Sequence, residues 1–149
     1  MNKFTPVAII CVFIWIGFVC AISFMEAWLK FRAPGVSISS GLEIGRLVFN
    51  ALNKVEWVLA TVIIVSLLIW GRTSFQAPAL WWLLPALLIL LVQTAWLLPR
   101  LDERAVRYIQ GEELASSGLH FYFIGCELAK VFCLFMSGLA LFRERAGIL

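Results

Sequence analysis

A glutamate and a lysine lie well inside an apolar stretch near the carboxyl-terminal end of the sequence, LHFYFIGCELAKVFCLF. Glu127 and Lys130 are three positions apart, so on a helix they are neighbours that can form an ion pair, and His120 shares a face with Glu127. A carboxylate at this depth must find a cation or take up a proton, because desolvation disfavours its charged form. Two interpretations follow: a structural ion pair between helices, with Lys130, Lys54 or Arg46 as the cation, or a proton-linked or ligand-contacting carboxyl.

A second set of polar residues lies in GLEIGRLVFNALNKVEW, residues 41 to 57, at the start of another long apolar stretch. Helical spacing places most of them on one face, which we call the polar stripe: Glu43, Arg46, Asn50, Asn53 with Lys54, and Trp57. A centrally placed charge costs about 2.5–3.5 kcal/mol in lipid, so the polar stripe is expected to face protein or a water-filled cavity. The alternative is a helical extension that stands in water, from which Lys54 reaches the solvent.

Pairing within the polar stripe follows from the same spacing. Glu43 with Arg46, and Asn50 with Asn53, are three positions apart and are expected to interact. Glu56 lies about one turn round from the stripe, so we expect it to face another helix or the lipid head groups.

Several other polar and sulfur-containing residues are expected to serve helix packing. Glu26 and Lys30 are four positions apart, and Gln93 is a lone amide within an apolar run. The four cysteines lie in apolar stretches and form no CxxC pair, so we interpret them as small buried apolar residues.

The sequence contains no recognised motif for catalysis or metal binding. It has no P-loop, no glycine-rich dinucleotide fingerprint, no nucleophile elbow and no HExxH. Its single histidine is too little for a zinc site or for bis-histidine haem ligation within one chain. We therefore expect no cofactor and no metal. An enzyme in this chain would have His120, Glu127 and Tyr122 as its acid and base groups.

The elements that must position these residues are predicted to be transmembrane helices. Of the 149 residues 62% are hydrophobic, with a mean hydropathy of +0.96, against about 45–50% in ordinary soluble domains. Apolar runs cover residues 6–25, 47–70, 79–98 and 119–142, and about 20 residues suffice for one crossing. The first run ends in bulky residues without a cleavage site, so we interpret it as a span and not as a signal peptide.

The connections predict how the four runs are arranged. RAPGVSISSG precedes the second helix, where Ser39 or Ser40 is expected to be the cap, and GRTSFQAP forms a short turn. The segment 99–118 has an amphipathic pattern, so it either lies on the membrane surface or extends the third helix. We predict an all-α fold: an antiparallel four-helix bundle, one domain over residues 1–149, with both termini on the same side. The lysine and arginine counts leave that side undecided.

Four segments together resemble an uncharacterised group of small four-span bacterial integral membrane proteins: FMEAWLKFRAP, IGRLVFNALNKVEW, WLLPRLDERA and LHFYFIGCELAKVFCLFMSGL. The resemblance covers nearly the whole chain. It implies a four-helix bundle in the bacterial inner membrane and implies no catalytic residue.

Three classes of function are compatible with the sequence. The first is a non-catalytic accessory or assembly subunit, with the lipid bilayer and other membrane subunits or further copies of itself as partners. The second is a small transporter or channel whose path is lined by Asn50, Asn53 and Lys54 together with Glu127 and Lys130. The third is a membrane enzyme that acts on a lipid-soluble substrate. The net charge of +3 is dispersed, so no nucleic-acid partner is expected.

Overall fold

The computed structural model describes residues 5–70, 78–112 and 117–146, and every regular element within these ranges is helical. Helix α1 consists of an α-helix over Thr5–Val19, a π-helical turn over Cys20–Glu26, a short α-helical piece over Ala27–Leu29 and a 3₁₀ turn over Lys30–Arg32. Helix α2 spans Ile38–Trp70. Helix α3 continues from Pro78–Val92 through a π-helical turn, Gln93–Leu97, into Leu98–Ile109. Helix α4 spans Leu119–Ala146.

All four of these helices are long and apolar enough to cross a membrane. The qualifying segments are Pro6–Arg32, Ile38–Ile69, Pro78–Ile109 and Leu119–Glu144. Four helices were predicted from the apolar runs, but α1, α2 and α3 extend well beyond those runs at one end. The amphipathic segment after residue 98 is a helical continuation of α3, which was one of the two alternatives for that segment.

The core lies between α1, α3 and α4, with the second half of α2 closing it. Helix α1 packs against α2 and α4, and α4 packs against α3. Small residues allow close approach: Ala8, Ala60, Ala79, Ala86 and Ala140 are all buried. Of the four cysteines, Cys133 is buried and Cys20 is exposed, so the interpretation of all four as buried residues is wrong for Cys20.

Local backbone signals set two of the helix ends. The Ser37 hydroxyl accepts a hydrogen bond from the Ser40 amide at 3.1 Å, so the cap of α2 is Ser37 and the prediction of Ser39 or Ser40 is wrong. Helix α3 ends at Ile109 and is followed by Gly111, whose φ of 89° favours glycine, and the Glu112 amide bonds back to the Arg107 carbonyl at 3.1 Å. The predicted turn between α2 and α3 lies largely outside the described residues.

Candidate functional site

Five polar side chains meet in the middle of the four helices and form what we call the buried polar cluster: Trp15 of α1, Glu56 of α2, Gln93 of α3, and Glu127 and Lys130 of α4. Each of them has a relative exposure of 2% or less. The cluster therefore joins all four helices through polar contacts that exclude solvent.

Lys130 lies at the centre of the buried polar cluster. Its Nζ lies 2.7 Å from Gln93 Oε1 and 3.3 Å from both carboxylate oxygens of Glu127. It also forms an ion pair with Glu56 Oε1. An ammonium has three N–H donors, and here acceptors from three residues surround it. The charge of Lys130 is thus compensated inside the core.

Trp15 and Gln93 complete the hydrogen bonding of the cluster. The Trp15 indole Nε1 donates to Glu56 Oε1 at 2.8 Å, and Gln93 Nε2 donates to Glu127 Oε1 at 3.0 Å. Gln93 accepts from Lys130 with one end of its amide and donates to Glu127 with the other, which a carboxylate or an aliphatic side chain cannot do. Glu127 Oε2 is left without a hydrogen bond.

The helical register of α2 explains why Glu56 reaches the cluster. Leu52, Ala60 and Ile63 lie four positions before, four after and seven after Glu56, and all of them are buried. Glu56 is therefore on the core-facing side of α2. Removing an ion from water costs several kcal/mol, so a carboxylate on this side needs a cation such as Lys130.

The structure settles several of the pairings expected from the sequence. The predicted contact between Glu127 and Lys130 is present, at 3.3 Å, and the cation beside Glu127 is Lys130 and not Lys54 or Arg46. Glu56 faces other helices and not the head groups, since its partners belong to α1 and α4. Sequence reasoning missed its place in the cluster, although its helical spacing from Leu52, Ala60 and Ile63 carried the signal.

The polar stripe of α2 lies partly against α3. Asn53 Nδ2 and Trp57 Nε1 both donate to Thr94 Oγ1, at 2.9 and 3.0 Å. Thr94 in turn donates to the Leu90 carbonyl at 2.8 Å. Thr94 directly follows Gln93, so the π-helical turn of α3 directs one polar side chain to α4 and the next to α2.

Two pairings predicted within the polar stripe are wrong. Asn50 donates to the backbone carbonyl of Arg46 at 2.8 Å, and Asn53 bonds to α3, so the two amides do not pair with each other. Arg46 pairs with Asp102 and not with Glu43: its Nε lies 2.6 Å from Oδ1 and its Nη2 3.1 Å from Oδ2. The extension of α3 alongside the start of α2 supplies this carboxylate in bidentate geometry.

The residues of the predicted transport path do not share one location. Asn50 lines a cavity between the helices, whereas Lys54 is exposed on α2 outside it. Glu127 and Lys130 lie in the core. The residues of the predicted enzyme are similarly separated, because His120 and Tyr122 are exposed and Glu127 is buried.

A cavity of about 420 Å³ lies where the end of α1, the start of α2, the end of α3 and the start of α4 meet, and we call it the end cavity. Aromatic residues form much of its wall: Phe31, Phe49, Tyr108 and Phe123. Its ionisable lining residues are Lys30, Arg46, Asp102, Arg104 and His120. The sequence did not predict this cavity, because it is built from four chain segments that are distant in the sequence.

Two glycines of α2 make room for the part of α1 that lines the end cavity. A Cβ at Gly41 would collide with the Phe31 ring, and a Cβ at Gly45 would lie 2.8 Å from Lys30 Nζ. The Lys30 ammonium lies 5.5 and 5.4 Å from the ring centroids of Phe31 and Phe49 and 3.3 Å from Glu26 Oε2. The predicted Glu26–Lys30 ion pair is thereby confirmed.

An aromatic pair lies between the end cavity and the buried polar cluster. Phe49 and Phe123 contact each other edge to face, with ring centroids 5.2 Å apart and planes at 83°. Both line the end cavity, and Phe123 is buried. Glu127 lies four positions beyond Phe123 on α4, which is about one helical turn of 5.4 Å. The end cavity and the buried polar cluster are therefore about one helical turn apart along α4.

The end cavity and the buried polar cluster each draw side chains from all four helices. In residues 5–70, 78–112 and 117–146, no group of three or more His, Cys, Asp or Glu side chains is placed to hold a metal ion. The resemblance to small four-span bacterial membrane proteins stays a prediction, since no family model, curated protein or solved structure matches the chain.

Proposed function

We propose that this chain is an integral membrane protein, an antiparallel four-helix bundle with both termini on one side, whose end cavity binds an amphiphile with an anionic head group. The observation that carries the proposal is the lining of the end cavity, which combines aromatic walls with cationic side chains. Such a lining complements an apolar chain and an anionic head at once. On the basis of the sequence resemblance, we also propose that this membrane is the bacterial inner membrane.

The outer surface of the helices supports insertion in a membrane. Large apolar side chains between 62% and 78% exposed occur on several faces: Leu47, Leu68, Trp81, Leu88 and Phe121. In a membrane, lipid chains would cover these side chains and remove their apolar surface from water. The end cavity lies beside the polar continuation of α3, where the apolar part of the bundle ends, so a ligand there would have its head at the membrane–water boundary.

The charges of the end cavity favour an anion. Three cationic residues, Lys30, Arg46 and Arg104, line it together with one carboxylate, Asp102. Asp102 already holds Arg46 in bidentate geometry. Lys30 has a longer contact with Glu26 and lies beside two aromatic rings, so its ammonium marks the border between the apolar wall and the charged rim.

Retention of lipid-like ligands in native mass spectrometry tests this function. The protein in a non-ionic detergent is offered a fatty acid, a lysophosphatidic acid and a monoacylglycerol of equal chain length. We expect the protein to retain more of each anionic lipid than of the neutral lipid. The anion that is retained in the larger amount identifies the preferred head group as a carboxylate or a phosphate.

Matched lysine variants assign the binding to the end cavity. Lys30→Gln should reduce retention of the anions several-fold, whereas Lys54→Gln, which changes an exposed lysine outside the cavity, should not. Equal retention of the neutral lipid and the anions, or equal effects of the two substitutions, would show the proposal to be wrong.

The accessory-subunit hypothesis is a second candidate, and the exposed polar residues of α2 favour it. Lys54 and Thr61 are both exposed along this helix and lie outside the end cavity. Polar groups at bilayer depth are costly unless protein covers them, so a partner subunit or a second copy would cover this face. A cysteine introduced at position 54 should cross-link to the partner in membranes, and labelling by a lipid-soluble thiol reagent without any cross-link would argue against this candidate.

A further inference from the structure

The buried polar cluster contains more negative than positive charge if every group is ionised. Glu56 and Glu127 are the two carboxylates, and Lys130 is the cation that forms ion pairs with both of them. Two negative charges and one positive charge leave a net charge of −1. An uncompensated ion in a site that excludes water is strongly unfavourable, so we expect the cluster to bind one additional proton.

The hydrogen bonds show that Lys130 is not the group that changes its charge. Its amino group faces acceptors from Glu56, Gln93 and Glu127, and a neutral amine would have only two N–H donors for them. The ammonium form satisfies all three acceptors. The proton that neutralises the cluster must therefore be bound to one of the two carboxyl groups.

The two carboxyl groups have unequal partners. Glu56 Oε1 accepts the Trp15 indole N–H and also contacts the Lys130 ammonium, so two donors meet on this one oxygen. Glu127 receives one neutral amide N–H, from Gln93, and the Lys130 ammonium at the longer distance of 3.3 Å. Its Oε2 is buried and accepts no hydrogen bond.

The groups that surround Glu127 on each of the four helices include only one cation. From α1 the cluster receives the Trp15 indole, from α2 the Glu56 carboxyl group, and from α3 the Gln93 amide. On α4 itself, Cys126 precedes Glu127 and Lys130 follows one turn later. One cation is thus shared with a second carboxylate that binds it more closely.

We propose that Glu127 is a proton-binding site, a neutral carboxylic acid at neutral pH. The cluster then has no net charge: one ammonium, one carboxylate and one carboxylic acid. The site lies about one helical turn beyond the aromatic pair of the end cavity, and the proposal does not depend on what the end cavity binds.

Infrared spectroscopy observes this proton directly. The C=O stretch of a carboxylic acid lies above the amide and carboxylate bands, and it shifts when the acid proton is exchanged for deuterium. The protein is measured at neutral pH in an alkyl maltoside detergent, which has no ester carbonyl, in H₂O and after long exchange in D₂O. We expect one acid band that shifts in D₂O, and the absence of such a band from the unaltered protein would overturn the proposal.

Conservative variants assign the band to one carboxyl. Glu127→Asp should shift its frequency, because the acid is then an aspartic acid in altered surroundings, and Glu56→Asp should leave it nearly in place. A band that moves with Glu56→Asp and not with Glu127→Asp would place the proton on Glu56 and overturn the proposal. Glu103→Asp, at an exposed i,i+4 pair with Arg107, is the control that should change nothing.

Discussion

The indole N–H of Trp15 on α1 donates to Glu56 Oε1 on α2 at 2.8 Å, and the same carboxylate oxygen pairs with Lys130 on α4. One oxygen atom thus connects three helices at a point that excludes solvent. Because both contacts are charge-assisted, each is stronger than a bond between neutral groups. We infer that this carboxylate fixes the relative register of α1, α2 and α4.

The first prediction concerns the indole donor. Trp15→Phe keeps most of the apolar volume and removes the N–H, so Glu56 loses one of its two partners. The free energy of unfolding should fall by about 1–3 kcal/mol, measured by titration with sodium dodecyl sulfate and circular dichroism. Trp81→Phe changes an indole that is 66% exposed and should have a much smaller effect. Equal losses in the two variants would show that ring volume and not the hydrogen bond matters.

The second prediction concerns the central cation. Lys130→Met leaves two buried carboxyl groups without their ammonium, and breaking a buried pair in this way costs roughly 3–5 kcal/mol in soluble proteins. The double variant Lys130→Met with Glu56→Gln should recover part of that stability, because no buried charge is then left unpaired. The same unfolding titration gives both values. No recovery in the double variant would mean that the loss comes from packing of the lysine stem.

The same cluster predicts a contrast between its two carboxyl groups. If Glu127 is already neutral, Glu127→Gln replaces one neutral group by another of similar shape and should cost less than Lys130→Met by at least 1 kcal/mol. Thermal unfolding in detergent, followed by circular dichroism, measures the stabilities of the two variants for this comparison. A loss as large as that of Lys130→Met would indicate that Glu127 is charged in the folded protein.

The third prediction concerns the contact between α2 and α3. Thr94→Val removes the oxygen that accepts from both Asn53 and Trp57, so two donors lose their partner. We expect a loss of about 1–2 kcal/mol in the free energy of unfolding. Thr61→Val is the control, since the Thr61 hydroxyl is exposed and bonds within its own helix to the Trp57 carbonyl. Similar stabilities of the two variants would contradict a role for Thr94 in joining the helices.

Much of the fold could be predicted from the sequence because apolar run length and helical spacing are local properties. The Glu127–Lys130 and Glu26–Lys30 pairs follow from spacings of three and four positions, and both are present. The position of Glu56 was harder to predict, because its place outside the polar stripe of α2 was compatible both with a neighbouring helix and with the lipid head groups. Its contacts with Trp15 and Lys130 show that it faces other helices.

Contacts between distant segments could not be predicted by the same means. Arg46 and Asp102 are 56 positions apart, and their bidentate pair depends on how far α3 continues as a helix. The spacing of Glu43 and Arg46 indicated a local pair. An exposed i,i+3 pair contributes only a few tenths of a kcal/mol, so Arg46 pairs instead with the Asp102 carboxylate in bidentate geometry. The end cavity depends on the same continuation of α3 and was missed for the same reason.

The last prediction concerns the close approach of α1 and α2 beside the end cavity. Glycine to alanine within a helix normally raises stability by roughly 0.5–1 kcal/mol, provided that the new methyl group meets open space. Gly125 on α4 meets that condition, with nothing within 4 Å of an added Cβ, whereas a Cβ at Gly41 would collide with the Phe31 ring.

Gly125→Ala should therefore keep or raise the unfolding midpoint and leave anionic-lipid retention unchanged. Gly41→Ala should push the Phe31 ring out of its place in the wall of the end cavity, so that retention of the anionic lipid falls several-fold in native mass spectrometry while the helical content is preserved. Because both substitutions add the same methyl group to a helix, a difference in retention reports on the cavity wall and not on helix propensity. If the two variants retain the lipid equally, the Phe31 side of the end cavity does not contact the ligand, and the binding site must be sought nearer to Tyr108 on α3.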